Sequence, residues 1–473
     1  MVSKAFLVVP PTGLYVREDR CQSSVADFSV EFFRPPHDLM MMAATLEHLT
    51  PKVECRIRDY PVEGGDLPTF TKDFLEFQPD MLVVSITTPT LDRDMEILAE
   101  AKRLKPSIIT VAKGAHFLKE AKGVLEQYPQ LDAAIRGENE VSIGEIATME
   151  RRDWGRILGL TWRSPRGVEE NPDRPYVENL DEMPFPARHL IRNELYTRPD
   201  VGRPLAVLDT QRGCPARCVY CLVASVSGRE IRTRSPESVV AEVEECVNRH
   251  GIRDFLFKAD TFTWNKDWVI KTCQLIIEKK LDIAWICNSR VDTLCDERLT
   301  VMKKAGCYAI GFGIESINPE ILKEIKKGAS VRATHEAVRL CRKHKVKSYG
   351  YFMIGFPSDT EETVKESIEF SRKAGIDFID FYIAYPFPGT EFEKMVKEKG
   401  LYETRADINA YSQPAIRTIA LSSDRLAELR REAMRGFYTR PAYIMRKMMG
   451  IESFAQFKNY VKYGLSMLKK TAG

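Results

Sequence analysis

The sequence Leu205-Ala-Val-Leu-Asp-Thr-Gln-Arg-Gly-Cys214-Pro-Ala-Arg-Cys218-Val-Tyr-Cys221 decides the fold predicted for the chain around it. Its apolar beginning predicts a buried strand, which leads into a loop with the cysteine spacing Cys-x3-Cys-x2-Cys. Iron–sulfur clusters are held by cysteine thiolates, normally four of them. Three closely spaced thiolates hold three corners of a four-iron cube and leave the fourth iron open for chemistry.

A zinc site and three incidental core cysteines are the alternatives for this loop. Zinc requires a fourth Cys or His at a matching spacing. The nearest downstream histidine is His250, which lies beyond a predicted helix. We therefore favour the cluster, with Cys214, Cys218 and Cys221 as metal ligands and catalytic residues.

The loop resembles the signature of radical S-adenosylmethionine (SAM) enzymes, because aromatic Tyr220 stands directly before the last of the three cysteines. The resemblance implies a [4Fe–4S] cluster whose free iron chelates the amino and carboxylate groups of SAM, with Tyr220 in the cofactor-binding loop. It also implies that an electron from the cluster cleaves SAM to a 5′-deoxyadenosyl radical. An electron donor such as flavodoxin or ferredoxin is then an expected partner.

Length and composition restrict the class of protein. A chain of 473 residues with 44% hydrophobic content can form two or three domains with full cores. The net charge of +3, with both signs abundant, does not indicate a nucleic-acid partner. Eleven cysteines are too sparse for a disulfide scaffold, and neither a signal peptide nor an apolar run of about 18 residues is apparent. We therefore expect a soluble cytoplasmic protein, in the reducing compartment that an oxygen-sensitive cluster needs.

Residues 1–140 predict a doubly wound α/β domain. Continuous apolar strands alternate with helical segments, which is typical of a parallel sheet covered on both faces. The expected ligand site lies at the carboxyl ends of the strands. About five strands are predicted, at 5–10, 53–59, 81–87, 108–114 and 132–137.

The loops after these strands contain four residues that we predict to contact a cofactor, namely Pro11, Ser85, Gly114 and His116. Together with Gly137-Glu-Asn-Glu140, this order of features resembles the cobalamin (B12)-binding domain that precedes many radical SAM barrels, and it implies bound cobalamin. Two features depart from the family. No Asp-x-His-x-x-Gly motif supplies a histidine below the cobalt, and Lys113-Gly114 replaces the usual Gly-Gly. The alternative is a domain that has lost the corrin and serves as a scaffold.

Residues 141–204 are predicted to be a linker that contains a strand at 157–162 and another before Asn179. Residues 205–400 are predicted to be a partial barrel. Strand, loop and helix repeat six times from residue 205, with strands at 206–210, 254–258, 283–288, 308–313, 348–354 and 378–384. Six β/α units match the partial (β/α)6 barrel of the radical SAM family. Parallel barrels place their chemistry at the carboxyl ends of the strands, so residues there are considered as one rim.

The predicted cofactor-binding residues of this rim are Asp260, Asn288, Arg290, Glu315, Ser316, Gly355 and Ala384. The resemblance places Asp260, in Asp260-Thr-Phe262, opposite the SAM amino group. A carboxylate at Glu315 can accept both ribose hydroxyls, as in other nucleotide sites. Glycine at Gly355 permits close approach of the backbone. Considered alone, Asp260 or Glu315 could instead be a helix N-cap or a salt-bridge partner.

Residues 401–473 are predicted to be a helical tail rich in basic and aromatic residues, for example in the segment 457–470. Basic amphipathic helices lie on anionic membranes, which would suit a lipid substrate. We favour packing over the barrel mouth, and the two interpretations are compatible. Peripheral membrane association therefore stays open.

Two function classes remain at this point. Over about residues 1–400 the chain resembles B12-domain radical SAM proteins of hopanoid biosynthesis and anaerobic tetrapyrrole cyclisation, through phrases such as Ile325-Lys-Lys-Gly328 and Tyr385-Pro-Phe-Pro-Gly-Thr390. This resemblance implies a radical enzyme that acts on an unactivated carbon. With cobalamin it would methylate a lipid- or isoprenoid-like or other small substrate; without cobalamin it would join, cyclise or rearrange carbon centres. The second class is a non-catalytic cluster protein for electron transfer or sensing, which would need neither an open iron nor a ribose carboxylate.

Overall fold

The computed structural model describes residues 2–18, 23–28, 32–403, 414–451, 454, 456–462 and 464. The chain divides into two compact units. Unit 1 contains Met1–Ser24, Phe33–Leu195 and Leu222–Gly228, and unit 2 contains Val25–Phe32, Tyr196–Cys221 and Arg229–Gly473.

Unit 1 is built on a seven-stranded sheet with the order β2-β1-β3-β4-β5-β6-β7. Its strands are β1 Lys4–Val9, β2 Glu54–Asp59, β3 Met81–Ser85, β4 Ile109–Lys113, β5 Ala133–Ile135, β6 Leu160–Ser164 and β7 Gly167–Glu170. The first five pair in parallel, as the sequence predicts. The last two are antiparallel and come from the segment predicted to be a linker. Unit 1 therefore extends past residue 140, because β6 pairs with the edge of β5.

Helices cover both faces of this sheet. They are α1 His37–Glu47, α2 Tyr60–Glu63, α3 Leu67–Phe77, α4 Leu91–Leu104, α5 Phe117–Gln127 and α6 Glu140–Thr148, and unit 1 also takes in the short helix α7 Val223–Val226. Successive side chains of a strand point to opposite faces. Accordingly, Leu7 and Val9 belong to one apolar core, and Phe6 and Val8 belong to the other. A strand buried on both faces gives the continuous apolar run seen in the sequence.

Unit 2 contains a six-stranded parallel sheet in sequential order, β8-β11-β12-β13-β14-β15. The strands are β8 Leu205–Asp209, β11 Asp254–Lys258, β12 Ala284–Ser289, β13 Cys307–Glu315, β14 Lys347–Ile354 and β15 Phe378–Ile383, with the short antiparallel pair β9 Gln211–Arg212 and β10 Arg232–Thr233. All six predicted strands are confirmed within one or two residues. Sequential parallel order is that of an open (β/α)6 barrel.

The helices of unit 2 alternate with these strands and then form the tail. They are α8 Pro236–His250, α9 Lys266–Glu278, α10 Asp296–Lys304, α11 Pro319–Glu324, α12 Val331–Lys343, α13 Glu361–Lys373, α14 Glu391–Glu398, α15 Ser423–Tyr438 and α16 Pro441–Met449. In the predicted tail, Leu429 and Phe437 of α15 join the core that contains the outward residues of β15. Leu401 and Ile416 pack in a cluster with Val219 of the cysteine loop. Part of the tail segment 457–470 lies outside the described residues.

The two faces of the barrel sheet have different environments. Ala206 and Leu208 of β8 belong to the large core shared with α8, whereas Leu205 and Val207 pack with Leu256 of β11 in a separate apolar cluster. The second cluster lies on the inner face of the barrel, because alternate residues of a strand point to opposite sides. Across the described part of the chain, every helix is too short or too polar to cross a membrane.

Candidate active site

The cysteine loop follows the carboxyl end of β8, as predicted. Gly213 has φ +94°, a left-handed conformation that glycine adopts without strain. Its N–H donates to Asp260 Oδ2 at 2.7 Å, so the loop that follows β11 holds the turn that precedes Cys214. Cys214 Sγ lies 4.0 Å from Thr261 Oγ1. Asp260 and Cys214 are therefore brought together as predicted.

The three cysteines of the loop differ from most other cysteines in exposure. Cys214, Cys218 and Cys221 are partly exposed, whereas Cys55, Cys246, Cys273, Cys287, Cys307 and Cys341 are buried. Where the structure describes side chains, no three His, Cys, Asp or Glu residues converge on one metal ion. A four-iron cube makes a different demand, since each thiolate binds its own iron corner. Three accessible thiolates on one loop fit that demand.

A buried ion pair lies beside the loop. Lys327 Nζ is 2.8 Å from Glu315 Oε1, and both side chains are 7% exposed. Burial opposes the charge on Lys327, but Glu315 and the Cys218 thiolate outweigh it and raise the pKa of the lysine. Burial and then Glu315 raise the pKa of the Tyr220 phenol, whose oxygen is 3.5 Å from Lys327 Nζ. The lysine therefore holds Glu315 at the end of β13 next to the residue that precedes Cys221.

Glu315 adopts an unusual backbone conformation. Its φ is +63°, which costs free energy for a residue with a side chain. The register of β13 against β14 shifts between Gly313 and Glu315, so the strand ends in an irregularity at this point. A Cβ on Gly313 would meet Glu315 Oε1 at 2.6 Å and Lys327 Nζ at 2.8 Å. Glycine at 313 therefore makes room for the ion pair.

Arg290 is a second buried cation at the rim. It donates two hydrogen bonds to the Asp292 carboxylate, at 2.9 and 2.7 Å, and one to the Lys327 carbonyl at 3.0 Å. Burial opposes its charge, yet Asp292 and then the Cys218 and Cys214 thiolates raise its pKa. Two cations thus lie within electrostatic range of the cysteine thiolates. This charge distribution fits an anionic thiolate-bound cluster.

The remaining predicted rim residues divide into two groups. Asn288 is exposed at the end of β12, and its Oδ1 accepts from Tyr351 OH at 3.4 Å. Gly355 and Ala384 follow β14 and β15, and the Ala384 N–H donates to the Ile354 carbonyl at 2.8 Å. Ser316 is different, because its buried Oγ lies 3.5 Å from Ser367 Oγ and accepts from the Asn318 N–H. The structure does not bring the Ser316 hydroxyl into the group around the cysteines.

Asp359 orders the loop after β14 and was not predicted. Its carboxylate accepts from the Gly355 and Phe356 N–H groups at 2.8 and 3.0 Å. Burial raises its pKa to about 6. Phe356 in turn packs 5.7 Å from the ring of Tyr220. Asp359 therefore acts on the cysteine loop through the backbone and ring of Phe356.

The inner wall of the barrel combines tyrosines with the apolar cluster described above. Tyr349 OH donates to Asp380 Oδ2 at 2.6 Å, and Tyr382 OH lies 3.3 Å from the same oxygen. The rings of Tyr349 and Tyr351 are 4.9 Å apart. This wall suits a molecule with an apolar or ring-bearing body and a few polar groups.

In unit 1, the strand ends surround a buried carboxylate. Asp94 of α4 is fully buried and pairs with Arg17 at 2.7 Å. It also accepts hydrogen bonds from the hydroxyls of Thr12 and Thr90. Because Thr12 follows β1 and Thr90 follows β3, Asp94 ties together the loops after two adjacent strands.

The predicted cofactor contacts of unit 1 lie at this edge of the sheet. The Ser85 carbonyl accepts from Arg17 at 2.7 Å, and Pro11 lies in the loop after β1. Gly114 has φ +147°, and a Cβ there would lie 2.1 Å from the Ile86 carbonyl oxygen, so only glycine fits. The loop after β4 is consequently free of a side chain at this point. Such an edge fits a flat cofactor that approaches the backbone closely, such as a corrin.

His116 is fixed in the loop after β4. Its Nδ1 lies 3.2 Å from Thr88 Oγ1, and its ring meets Phe117 edge-on. Burial lowers its pKa, so the ring is neutral near pH 7. The position is the predicted one, and the contact with Thr88 accounts for its orientation.

Lys327 and Asp94 are site residues that the sequence did not single out. Lys327 appears only within the phrase Ile325-Lys-Lys-Gly328, and nothing in that phrase distinguishes it from Lys326. Asp94 stands in the polar first turn of a helix, where an acidic residue is ordinary. The distinguishing signal is burial, which depends on contacts far apart in sequence.

Comparison with known proteins covers both units. The sequence model of the B12 binding domain matches residues 24–147, and that of the Radical SAM superfamily matches residues 208–371. An uncharacterized methyltransferase of Pyrococcus horikoshii is 31% identical over 459 residues, which is 96% of this chain and 96% of that protein. The anaerobic magnesium-protoporphyrin IX monomethyl ester cyclase of Rubrivivax gelatinosus is 26% identical over 404 residues, covering 83% of this chain and 70% of that protein. A solved structure of the radical SAM methyltransferase TsrM from Kitasatospora setae, with cobalamin and a [4Fe–4S] cluster, has a TM-score of 0.72 at 17% identity and full coverage of both chains.

The barrel and its cysteine loop are those of a radical SAM enzyme. More closely, the chain belongs to the cobalamin-dependent radical SAM methyltransferase family, whose members carry an N-terminal B12-binding domain. The predicted family resemblance and α/β fold class are confirmed. The family's cofactors are a [4Fe–4S] cluster, SAM and cobalamin, also as predicted. The roles assigned to individual site residues stay predictions.

Proposed function

We propose that this protein uses the three cofactors to transfer a methyl group to an unactivated carbon of a small substrate. The observation that carries the proposal is the group beside the cysteine loop, where Lys327 holds Glu315 at 2.8 Å next to Tyr220. A paired carboxylate at that position suits the ribose of a nucleoside cofactor. The full-length similarity to a protein described as a methyltransferase supports methyl transfer as the outcome.

The residues have separate tasks in this proposal. Cys214, Cys218 and Cys221 hold three irons and leave the fourth open to SAM. Glu315 accepts hydrogen bonds from the ribose hydroxyls, and Lys327 keeps its carboxylate in place. Arg290 and Lys327 offset the negative charge of the thiolates. When bound, the cofactors supply reductive cleavage of SAM and a carrier for the methyl group.

The inner wall of the barrel supports a proposal for the substrate class. Leu205, Val207 and Leu256 give it an apolar side, and Tyr349 and Tyr382 give it hydroxyl groups near Asp380. We infer a lipid- or isoprenoid-like or other largely apolar small molecule that carries a few polar groups. Flavodoxin or ferredoxin is the proposed source of electrons.

Cyclisation is the second candidate. It is favoured by the relative from Rubrivivax gelatinosus, which is described as a cyclase and matches 83% of this chain. The two candidates differ in what happens to SAM. A radical methyl transfer consumes one SAM as methyl donor and a second as radical source, whereas cyclisation requires only the radical source.

Product analysis after anaerobic reconstitution tests the proposal. The chain is loaded with iron, sulfide and cobalamin, given SAM and a chemical reductant, and assayed for 5′-deoxyadenosine and S-adenosylhomocysteine. We expect bound corrin in the absorption spectrum and both SAM products. A matched sample without cobalamin should yield 5′-deoxyadenosine and lose S-adenosylhomocysteine.

Two results would contradict methyl transfer. Formation of 5′-deoxyadenosine alone from a sample with bound corrin would favour cyclisation or another rearrangement. Failure to cleave SAM, in a preparation whose spectrum shows a complete cluster, would leave the chain as an electron-transfer or sensor protein.

A further inference from the structure

Large apolar side chains in contact with solvent are concentrated near the C-terminus. Of the fourteen such residues in the described part of the chain, half lie between positions 444 and 461. Met449 is 76% exposed and Phe454 is 82% exposed. We call this set the tail face, and it consists of Ile444, Met445, Met448, Met449, Phe454, Phe457 and Val461.

Helix α16 exposes its apolar side. It packs through Tyr443, which is buried against Phe437, and through Lys447, whose Nζ lies 3.6 Å from the centroid of the Phe378 ring. With 3.6 residues per turn, Met445 and Met449 fall on another side of the helix, and that side faces solvent. A surface helix of a globular protein normally has the reverse arrangement, with lysine outside and methionine inside.

The helical residues 456–462 repeat this arrangement. Gln456 is buried, and Asn459 Nδ2 donates to the Asp200 carbonyl at 3.3 Å, so polar side chains form the packed side. Phe457 and Val461 are exposed. The rings of Phe454 and Phe457 lie 6.4 Å apart, which makes the exposed apolar surface continuous there.

The charge of the same region is strongly positive. From residue 439 onward the sequence contains a single acidic residue, Glu452. Apart from Lys447, which packs on Phe378, the basic residues over the same range are Arg440, Arg446, Lys458, Lys462, Lys469 and Lys470. An apolar helical face flanked by basic residues is the combination that binds anionic lipid surfaces.

We propose that the tail face docks this protein on an anionic membrane surface. Phe378 is the first residue of β15, and α16 packs on it. The tail face therefore lies at the end of the barrel where the strands begin. The cysteine loop lies at the other end, where the strands finish. Docking leaves the cysteine loop uncovered, so the enzyme works with its site turned away from the lipid surface it sits on.

Vesicle sedimentation with the full chain tests this surface. The probes are phosphatidylcholine vesicles with about one third phosphatidylglycerol, and vesicles of phosphatidylcholine alone. We expect about tenfold more protein on the anionic vesicles, and loss of this excess in about 0.5 M salt. The double substitution M445Q/M449Q should abolish binding. The matched control L75Q/I277Q replaces two exposed apolar residues elsewhere on helices and should bind as the unmodified chain does.

Two outcomes would overturn the proposal. One is equal recovery of the unmodified chain in the supernatant of both vesicle types. The other is concentration-dependent dimerisation, measured by sedimentation equilibrium, that M445Q/M449Q removes while vesicle binding is absent; the tail face would then bind a second copy. The salt titration uses only the unmodified chain, so it tests whether this chain binds anionic vesicles even if a variant folds poorly.

Discussion

The strand ends of unit 2 gather buried cations around a cysteine loop, whereas those of unit 1 gather hydroxyl groups around one buried carboxylate. In unit 2, Lys327 and Arg290 lie within electrostatic range of Cys218. In unit 1, Asp94 pairs with Arg17, and the hydroxyls of Thr12 and Thr90 donate to it. The same edge of a parallel sheet is thus the proposed place of an anionic cluster in one unit and of a flat cofactor in the other. In this proposal the topology gives the location of each site, and the buried charge distinguishes the chemistry of the two.

The largest expected effect is on the cysteine loop itself. We expect C218A to lose the cluster spectrum and at least about a thousandfold of SAM cleavage, because two thiolates on the loop do not hold a four-iron cluster. The control is C295A, since Cys295 is a partly exposed thiol outside the loop. Retained SAM cleavage by C218A would break the assignment of this rim to the cluster.

Removal of Lys327 tests whether its charge positions Glu315. We expect K327M to weaken SAM binding by about 10- to 100-fold, because a buried carboxylate without its partner is strongly destabilised. SAM affinity is measured by equilibrium dialysis on the reconstituted protein. The neighbouring K326M is the matched control, since Lys326 is half exposed and pairs with Glu391 at the surface. Equal affinities for the two variants would mean that Lys327 only packs.

The corresponding change in unit 1 should leave SAM chemistry unaffected. We expect D94N to lower the free energy of unfolding by about 3 kcal/mol, because Arg17 remains buried without its counter-charge. Cobalamin binding should weaken, since Asp94 ties the loops after β1 and β3. The control D92N changes an exposed aspartate of the same helix. Chemical denaturation and corrin absorption are the measurements. If D94N lost SAM cleavage while its cobalamin binding stayed intact, the two edges would not be chemically separate.

His116 should give the smallest effect. Its Nδ1 already contacts Thr88, and a glutamine can preserve that hydrogen bond. We expect H116Q to change cobalamin affinity by less than about threefold, within the range of one neutral hydrogen bond. Titration of the apoprotein with cobalamin measures it. A loss of more than about tenfold would make His116 a direct contact of the corrin.

The parts of this comparison that sequence could predict are those encoded over short distances. The run before Cys214 gives a strand and a loop, and the six barrel strands follow from their apolar stretches. Lys327 is a counterexample, because only its burial against Glu315 separates it from Lys326. The sequence likewise predicts two strands within the linker but not that they join the sheet of unit 1, since pairing with β5 depends on an edge that the sequence does not display. Burial and edge pairing are long-range properties, and local patterns do not report them.

Lys447 also couples the packing of α16 against the barrel to proton release. Burial lowers the pKa of its ammonium to about 7, against the opposing charges of Asp377 and Asp200 and with the added repulsion of Lys347 and Arg446. A solvent-exposed lysine titrates near 10.5. Between these two pKa values the helix detached from the barrel binds more protons than the packed helix. Packing of α16 therefore becomes more favourable as pH rises from about 7. At lower pH both forms are protonated and the dependence vanishes. In K447M the thermal stability should therefore lose its rise with pH, and a slope unchanged by that substitution would assign the proton to another group.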